Sequence, residues 1–402
     1  LGPNGTSDAA AIVSGTIAVL QQVYADSNSQ AVPPASLVKA ILFNTADDAG
    51  RSGPDFKTGY GLVNSYEAVK AVQQKEYDGA SVAQGQTWTR TIAVPAGTAR
   101  VKVTLSWTDT AGTLNNNKAI VNDLDLELVE QATGIIYKPW VLNLAAHADS
   151  LVKIATRKRD SLNTAEQISV DLPSPGNYII RVNGTAISSA TVPFHVAFRC
   201  DTLNTFRFTS PAHTSDVNRA ENANLDIRWR CFVADTNTTG NLYISYDGSL
   251  NWVLLKANHK IYTNYYSWPV KDTVSRARLR MQTGFGDFYS AEFVISPVLR
   301  PVVDYLCTDS LRISWAKHIY AGSYRIYLLA DTAYLKPIQV VTDTFLIMPR
   351  IQYPGNVYAV EPILSNAIPA SRSVAFDVRE QGVRCFYRTL YYDLQDENQL
   401  RL

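Results

Sequence analysis

Near its start the chain reads Asn4-Gly5-Thr6-Ser7-Asp8, a polar turn that runs into the small and apolar stretch Ala9-Ala10-Ala11-Ile12-Val13-Ser14-Gly15. A serine hydroxyl becomes a nucleophile when a base takes its proton and a third group orients that base. The mouth of a helix favours such chemistry further. Unpaired backbone N–H groups and the positive end of the helix dipole converge there, and an oxyanion formed beside them is stabilised. That combination suits acyl transfer at Ser7. The competing reading is structural, because Ser and Thr are favoured N-caps and a capping serine needs no catalytic role.

A base for Ser7 is harder to find. The five histidines are His147, His195, His213, His259 and His318. His195 sits between Phe194 and Val196 on an alternating stretch, which turns it outward from a sandwich core. The others fall in loop or turn compositions. Asp8 suits the positive helix end, yet a carboxylate there would raise the pKa of a nearby catalytic His or oppose an oxyanion. It is expected to point away, toward solvent or a cap. Asp109, Asn122, Asp123 and Asp125 offer oxygens suited to a structural Ca²⁺. The plainer alternative makes Asp123, Asp125 and Glu127 the wet face of a strand and Asp109 the opening of a turn. Trp229, Trp252, Trp268 and Trp315 are expected in cores before sugar-binding platforms.

Two kinds of element must position these groups. From Ala9 the larger apolar residues recur at Val13, Ile17, Leu20 and Tyr24, which is helical periodicity. Ala10, Ala11, Ser14, Gly15 and Ala18 leave a second face nearly bare, so the helix reads as one meant to be enclosed. Val32-Pro33-Pro34 breaks the chain and starts a second helix with Leu37, Ile41 and Leu42 on one face. Asn64 with Glu67 has capping-box spacing for a third helix that buries Ala68, Val69 and Val72. After about residue 77 the period switches to two. Val101, Val103, Leu105 and Trp107 alternate with Lys102, Thr104 and Ser106, and Leu124, Leu126 and Leu128 with Asp123, Asp125 and Glu127. These read as half-buried antiparallel strands. A second sandwich begins near Phe206, with a hairpin signal at Asp247-Gly248. Pro297 to Pro301 reads as a linker.

Asn4-Gly5-Thr6-Ser7 followed by Ala9 and a small-residue helix resembles the nucleophile segment of the subtilases, the subtilisin-like serine proteases. Their usual wording is Gly-Thr-Ser-Met-Ala-Ser/Thr-Pro; here Asp8 stands for the Met and Ala11 for the Pro. The likeness continues through Pro34 to Leu42, Asn44-Thr45-Ala46 and Gly59-Tyr60-Gly61-Leu62-Val63-Asn64, which look like the last helices and final strand of the subtilase catalytic domain. Leu105 to Asp109 and Val121 to Leu126 resemble the jelly-roll domain that follows it in large alkaline subtilases. Residues 311–363 resemble a fibronectin type III domain.

The resemblance implies a multidomain chain: a truncated α/β subtilase remnant followed by all-β sandwiches. Its parts are the end of a catalytic domain (1–76), a jelly-roll-like sandwich (77–200), an immunoglobulin-like sandwich (201–297), a fibronectin type III-like domain (298–378) and the start of a further β domain (379–402). It implies a secreted or cell-surface, bacterial serine endopeptidase, monomeric, acting on protein or peptide substrates through Ser7 and an acyl-enzyme. The triad Asp and His should lie upstream, so this chain is expected to be inactive, and its first helix to expose an apolar patch. The rival class is a non-catalytic adhesion or matrix protein on a decayed protease remnant.

Composition limits the alternatives. At 402 residues the chain exceeds one ordinary domain, and 46% hydrophobic with 18% charged residues is enough to build real cores. A net charge of +1 without a basic run gives no footprint for nucleic acid or an anionic membrane. No stretch reaches the ~18 apolar residues of a transmembrane helix. No cofactor is implied. Cys200, Cys231, Cys307 and Cys385 lack metal-ligand spacing, leaving either one bridge in each late domain or free buried thiols.

Overall fold

The structure, a computed structural model, describes residues 5–49, 53–114, 118–145, 147–211, 216–218, 224–247, 249–270, 275–318, 320–329, 334–364, 370–381 and 383–385. The chain divides into two compact units, Leu1–Asn204 with Phe232–Ala234, and Thr205–Cys231 with Asp235–Leu402.

The first unit opens with the three expected helices, α1 (Thr6–Ser27), α2 (Ala35–Thr45) and α3 (Ser65–Gln73). α2 begins immediately after Pro34, whose fixed φ ends the preceding extended stretch. Its Leu37 and Ile41 join Leu20, Ala68, Ala71 and Val72 in one buried cluster. Each of these larger side chains contributes about 1.5–3 kcal/mol by leaving water. α3 carries the anticipated cap: Asn64 Oδ1 accepts from the Glu67 N–H at 3.0 Å. The final strand expected over Gly59–Asn64 is reduced to single bridges, Asp47 with Leu62 and Asp55 with Gly59. Gly61 has φ +113°, and a Cβ on it would lie 2.2 Å from the Asp47 carbonyl oxygen, so only glycine permits this approach.

Ten strands follow: β1 (Tyr77–Val82), β2 (Thr87–Val94), β3 (Thr98–Trp107), β4 (Asp123–Glu130), β5 (Ile136–Tyr137), β6 (Trp140–Val141), β7 (Thr156–Arg157), β8 (Ala165–Asp171), β9 (Gly176–Ala186) and β10 (Val192–Thr202). They build two four-stranded sheets, β1-β10-β3-β8 and β2-β9-β4-β5, beside the small β6-β7 ribbon. Successive long strands alternate between the sheets, and the inward residues of β3, β4, β9 and β10 fill the core.

The outward face of β3 departs from expectation. Lys102, Thr104 and Ser106 are as buried as their inward neighbours, at 5%, 0% and 0% exposure. The reason is α2, which packs across β3 and β10. Buried polar groups must find partners, and these do. Lys102 Nζ donates to Ala46 O at 2.9 Å, Asn44 Nδ2 to Thr104 Oγ1 at 3.2 Å and to Ala197 O at 3.1 Å, and Gln167 Nε2 to Phe43 O at 2.9 Å.

The second unit holds two sandwiches. Strands β11 (Thr205–Ser210), β13 (Asn224–Phe232) and β16 (Tyr265–Pro269) form one sheet. Its partner sheet contains β12 (Asp216–Asn218), β14 (Thr239–Ser245), β15 (Val253–Lys260), β17 (Ser275–Thr283), β18 (Gly286–Tyr289) and β19 (Phe293–Ser296). β14 and β15 pair as the expected hairpin, through a longer connection than Asp247-Gly248 suggested; Gly248 lies outside the described residues. Asn251 hydrogen bonds hold the Asp247 carboxyl down at about 2 and fix that turn.

The last sandwich pairs β24-β21-β20-β27 against β23-β22-β25-β26, where β20 is Val302–Leu306, β21 Ser310–Ser314, β22 Ala321–Leu329, β23 Leu335–Val341, β24 Phe345–Pro349, β25 Val357–Leu364, β26 Phe376–Asp377 and β27 Val383–Arg384. The sequence placed a further domain from 379. There, β27 adds in parallel to β20, and the Cys307–Cys385 disulfide ties the same stretch to this sandwich. Residues 386–402 lie outside the described residues. Cys200 and Cys231 are free, so one bridge forms where one per late domain was an option.

Candidate active site

Ser7 is the second residue of α1, not the cap ahead of it. Gly5 takes the cap, in an extended conformation with φ 173° and ψ 159°, and its carbonyl accepts the first helical bond from Ala9 N at 3.2 Å. The N–H groups from Gly5 to Asp8 therefore have no acceptor within the helix. Ser7 is exposed among them, in the first turn and outside any packed hydrocarbon. Among the described residues its hydroxyl has no hydrogen-bond partner. Asp8 is exposed too, and a Cβ on Gly5 would stand 3.7 Å from its Oδ2. The carboxylate is thus turned back toward the cap, where the dipole favours it.

The helix that carries Ser7 is held by its far half. Leu20 is 1% exposed, and Thr16 Oγ1 meets Ser65 Oγ of α3 at 2.7 Å. Ile12 and Val19 remain 57% and 50% exposed, the apolar patch that the small-residue face foretold. α3 is in turn fixed by Arg199 of β10, a buried guanidinium that pairs with Glu67 at 3.3 Å and with Asp201. α2 is pinned at its start by Ser36 Oγ, 2.8 Å from His195 Nδ1.

His195 does face away from the sandwich core, as its alternation required, but there it meets α2 and is half-buried. Its ring rests on Gly79 of the neighbouring strand, where a Cβ would come within 2.7 Å of Cδ2. Burial lowers its pKa. Sequence reasoning missed this pair; the only signal was a histidine inside an otherwise apolar strand.

The other histidines are likewise no base for Ser7. His147 caps the short turn Ala148–Val152. His259 lies in β15 and not in a loop, with Nε2 at 3.0 Å from Thr263 Oγ1 and 2.9 Å from Tyr265 O. His318 is buried, and His213 lies outside the described residues.

The four residues weighed for calcium spend their oxygens elsewhere, apart from Asp123 Oδ1, which is buried without a hydrogen-bond partner among the described residues. Asp109 accepts from Val121 N at 2.6 Å and from Asn122 Nδ2 at 2.8 Å, and Asn122 Oδ1 accepts from Ser188 N at 2.9 Å. Arg159 supplies the positive charge: its guanidinium holds Asp125 through both oxygens at 2.8 Å and Asp123 at 2.5 Å. Asp123 is therefore buried, not a wet face. Among the described residues no His, Cys, Asp and Glu group has metal-binding geometry. Nearby, Glu166 reaches across the sandwich to accept from Leu126 N at 2.7 Å, and burial drives its pKa well above the usual carboxylate range.

Trp229, Trp268 and Trp315 are core residues, at 3%, 1% and 5% exposure, while Trp252 is half-buried.

A model of the subtilase family matches residues 2–61, the stretch that carries Ser7, α1, α2 and the Asp55–Gly59 bridge. Residues 2–61 are thus similar to a segment of the subtilases. A curated relative, the serine protease/ABC transporter B family protein tagA of Dictyostelium discoideum, is 26% identical over 217 residues, covering 48% of this chain and 12% of that protein. Solved structures similar to parts of the chain include FN3tt (18% identity, 20% of this chain and 95% of that one, TM-score 0.17). The FN1–FN3 domains of chicken CNTN1 (14%, 72% and 96%, TM-score 0.22) and titin domains A168–A170 (10%, 75% and 98%, TM-score 0.21) are others. After α3 the described residues are built mainly of β-strands in sandwiches, and among them no helix is long and apolar enough to cross a membrane.

Proposed function

We propose that this chain is the C-terminal part of a secreted serine endopeptidase of the subtilase type, with Ser7 as its nucleophile. Ser7 attacks the scissile carbonyl, forms an acyl-enzyme and releases it to water, while the first-turn N–H groups of α1 lie on the oxyanion's side. The base and its orienting carboxylate come from residues before position 1, in the chain order Asp, His, Ser of subtilisin. The first sandwich is a jelly roll, and the domains run 1–76, 77–200, 201–297 and 298–385, the last including β27 and the Cys307–Cys385 disulfide. Protein substrates, a monomeric state and export are part of the same reading, to which the Cys307–Cys385 disulfide is suited.

The observation that carries the proposal is the placement of Ser7: exposed, in the first turn of a helix, inside the stretch that the subtilase model matches. The test is peptide hydrolysis by the full gene product, by its Ser7→Ala variant and by this chain. Turnover is expected only in the unmodified full product, falling at least about 10⁴-fold in the variant. Equal turnover in Ser7→Ala would remove Ser7 as the nucleophile, and a full product without activity would favour the adhesion class instead.

A further inference from the structure

Trp252 is the one tryptophan of the four considered above that is not in a core. It belongs to the outward face of the sheet β15-β14-β17-β18. Register puts Leu254, Tyr243, Arg280 and Tyr289 side by side in one row across that face, and Arg278 beside Ser245 in the next. The inward neighbours Leu242, Ile244, Leu279 and Met281 are fully buried, so the row is the free side of a well-packed sheet. Tyr289 is 47% and Leu254 50% exposed.

The chemistry of the row is specific. The rings of Trp252 and Tyr289 are 5.8 Å apart. The Arg278 guanidinium lies 5.0 Å from the Tyr289 ring, and that of Arg280 5.3 Å from the Tyr243 ring. Arg280 is neutralised by Asp287 at 2.7 Å and Arg276 by Glu292. Arg278 donates to the Ser290 carbonyl at 2.9 Å, and among the described residues it has no carboxylate partner. Half-exposed rings beside a guanidinium that has no carboxylate partner among the described residues suit a ligand that has apolar C–H faces and a carboxylate.

We propose that this face binds an acidic polysaccharide, a chain of uronic acid units, with Trp252 and Tyr289 stacking on sugar rings and Arg278 pairing with a carboxylate. An extended peptide fits less well. The centre of the row lies on β14 and β17, each hydrogen-bonded on both sides; only the flanking β15 and β18 have an open edge, so a strand added there would leave Tyr243 and Arg280 to side-chain contacts alone. The proposal is independent of Ser7.

The test is affinity electrophoresis of the whole 402-residue chain through gels containing polygalacturonate, a neutral glucan or poly-glutamate. Retardation by polygalacturonate above the other two is expected, weakening with salt. Trp252→Ala and Arg278→Gln should each raise the apparent dissociation constant about tenfold. Tyr289→Ser removes a half-exposed ring that fills no core, and provides the same reading if Trp252→Ala does not fold. Unretarded wild-type chain overturns the proposal. So does equal retardation by poly-glutamate, which would assign the face to an acidic protein, or by the neutral glucan.

Discussion

α2 and the first half of α1 lie in the same stretch that the subtilase model matches and are both rich in small and apolar residues, yet their surroundings differ completely. α2 is enclosed on two sides: Leu37 and Ile41 face the other helices, and Asn44 and Ser36 meet the sandwich. The first turns of α1 are exposed from Gly5 to Ile12. The candidate nucleophile therefore sits on the part of the segment that is least held locally, while the segment's hold on the chain lies in β3, β8 and β10. The sandwich is in this sense the base plate of the site. It fixes α2 and α3, and these hold the far half of α1.

The largest break in that comparison comes from the buried charge. Arg199→Ala leaves Glu67 and Asp201 without their guanidinium and should cost about 3–5 kcal/mol in urea unfolding of the first unit. Leu37→Ala, at a position 1% exposed, should cost about 2–5 kcal/mol, whereas Ile12→Ala on the bare face of α1 should stay within about 0.5 kcal/mol. Equal costs for the two would mean that α1 is as enclosed as α2.

Glu166→Gln sharpens the account of the sandwich by pH. Burial holds the folded-state pKa of Glu166 above its unfolded value, so the stability linked to its proton is present below about pH 4.3 and is lost as pH rises. The variant should gain roughly 1–3 kcal/mol at pH 8 and little at pH 4, read from thermal melts. His195 has the opposite sign. Its folded pKa is lowered, so its contribution is full above about pH 6.5 and is lost as acid protonates the ring under α2. His195→Gln should flatten the pH 5–7 portion of the stability curve, by about 1 kcal/mol or less.

Much of this was readable from residue order. The three helices, the Asn64 cap and the alternating strands follow from periods of 3.6 and two, which local sequence carries directly. What was not readable is which outward faces are covered. Lys102, Thr104 and His195 alternate like wet residues, and only the arrival of α2, from more than fifty residues away, buries the first two and half-covers His195. Asp123 and Asp125 looked like calcium ligands or a wet face because Arg159 lies 34 residues beyond Asp125. At the candidate site the motif located Ser7, but Gly5 displaced it from cap to first turn, since a glycine holds the extended cap backbone without a side-chain bond.

The central claim is that the Ser7 hydroxyl is a primed nucleophile in the full gene product. Treatment with a fluorophosphonate followed by peptide mapping tests it most directly. The account predicts label on the peptide containing Ser7, absent in Ser7→Ala and absent in this chain expressed without its upstream sequence. Label on a different serine, or none on a folded full product, would contradict it.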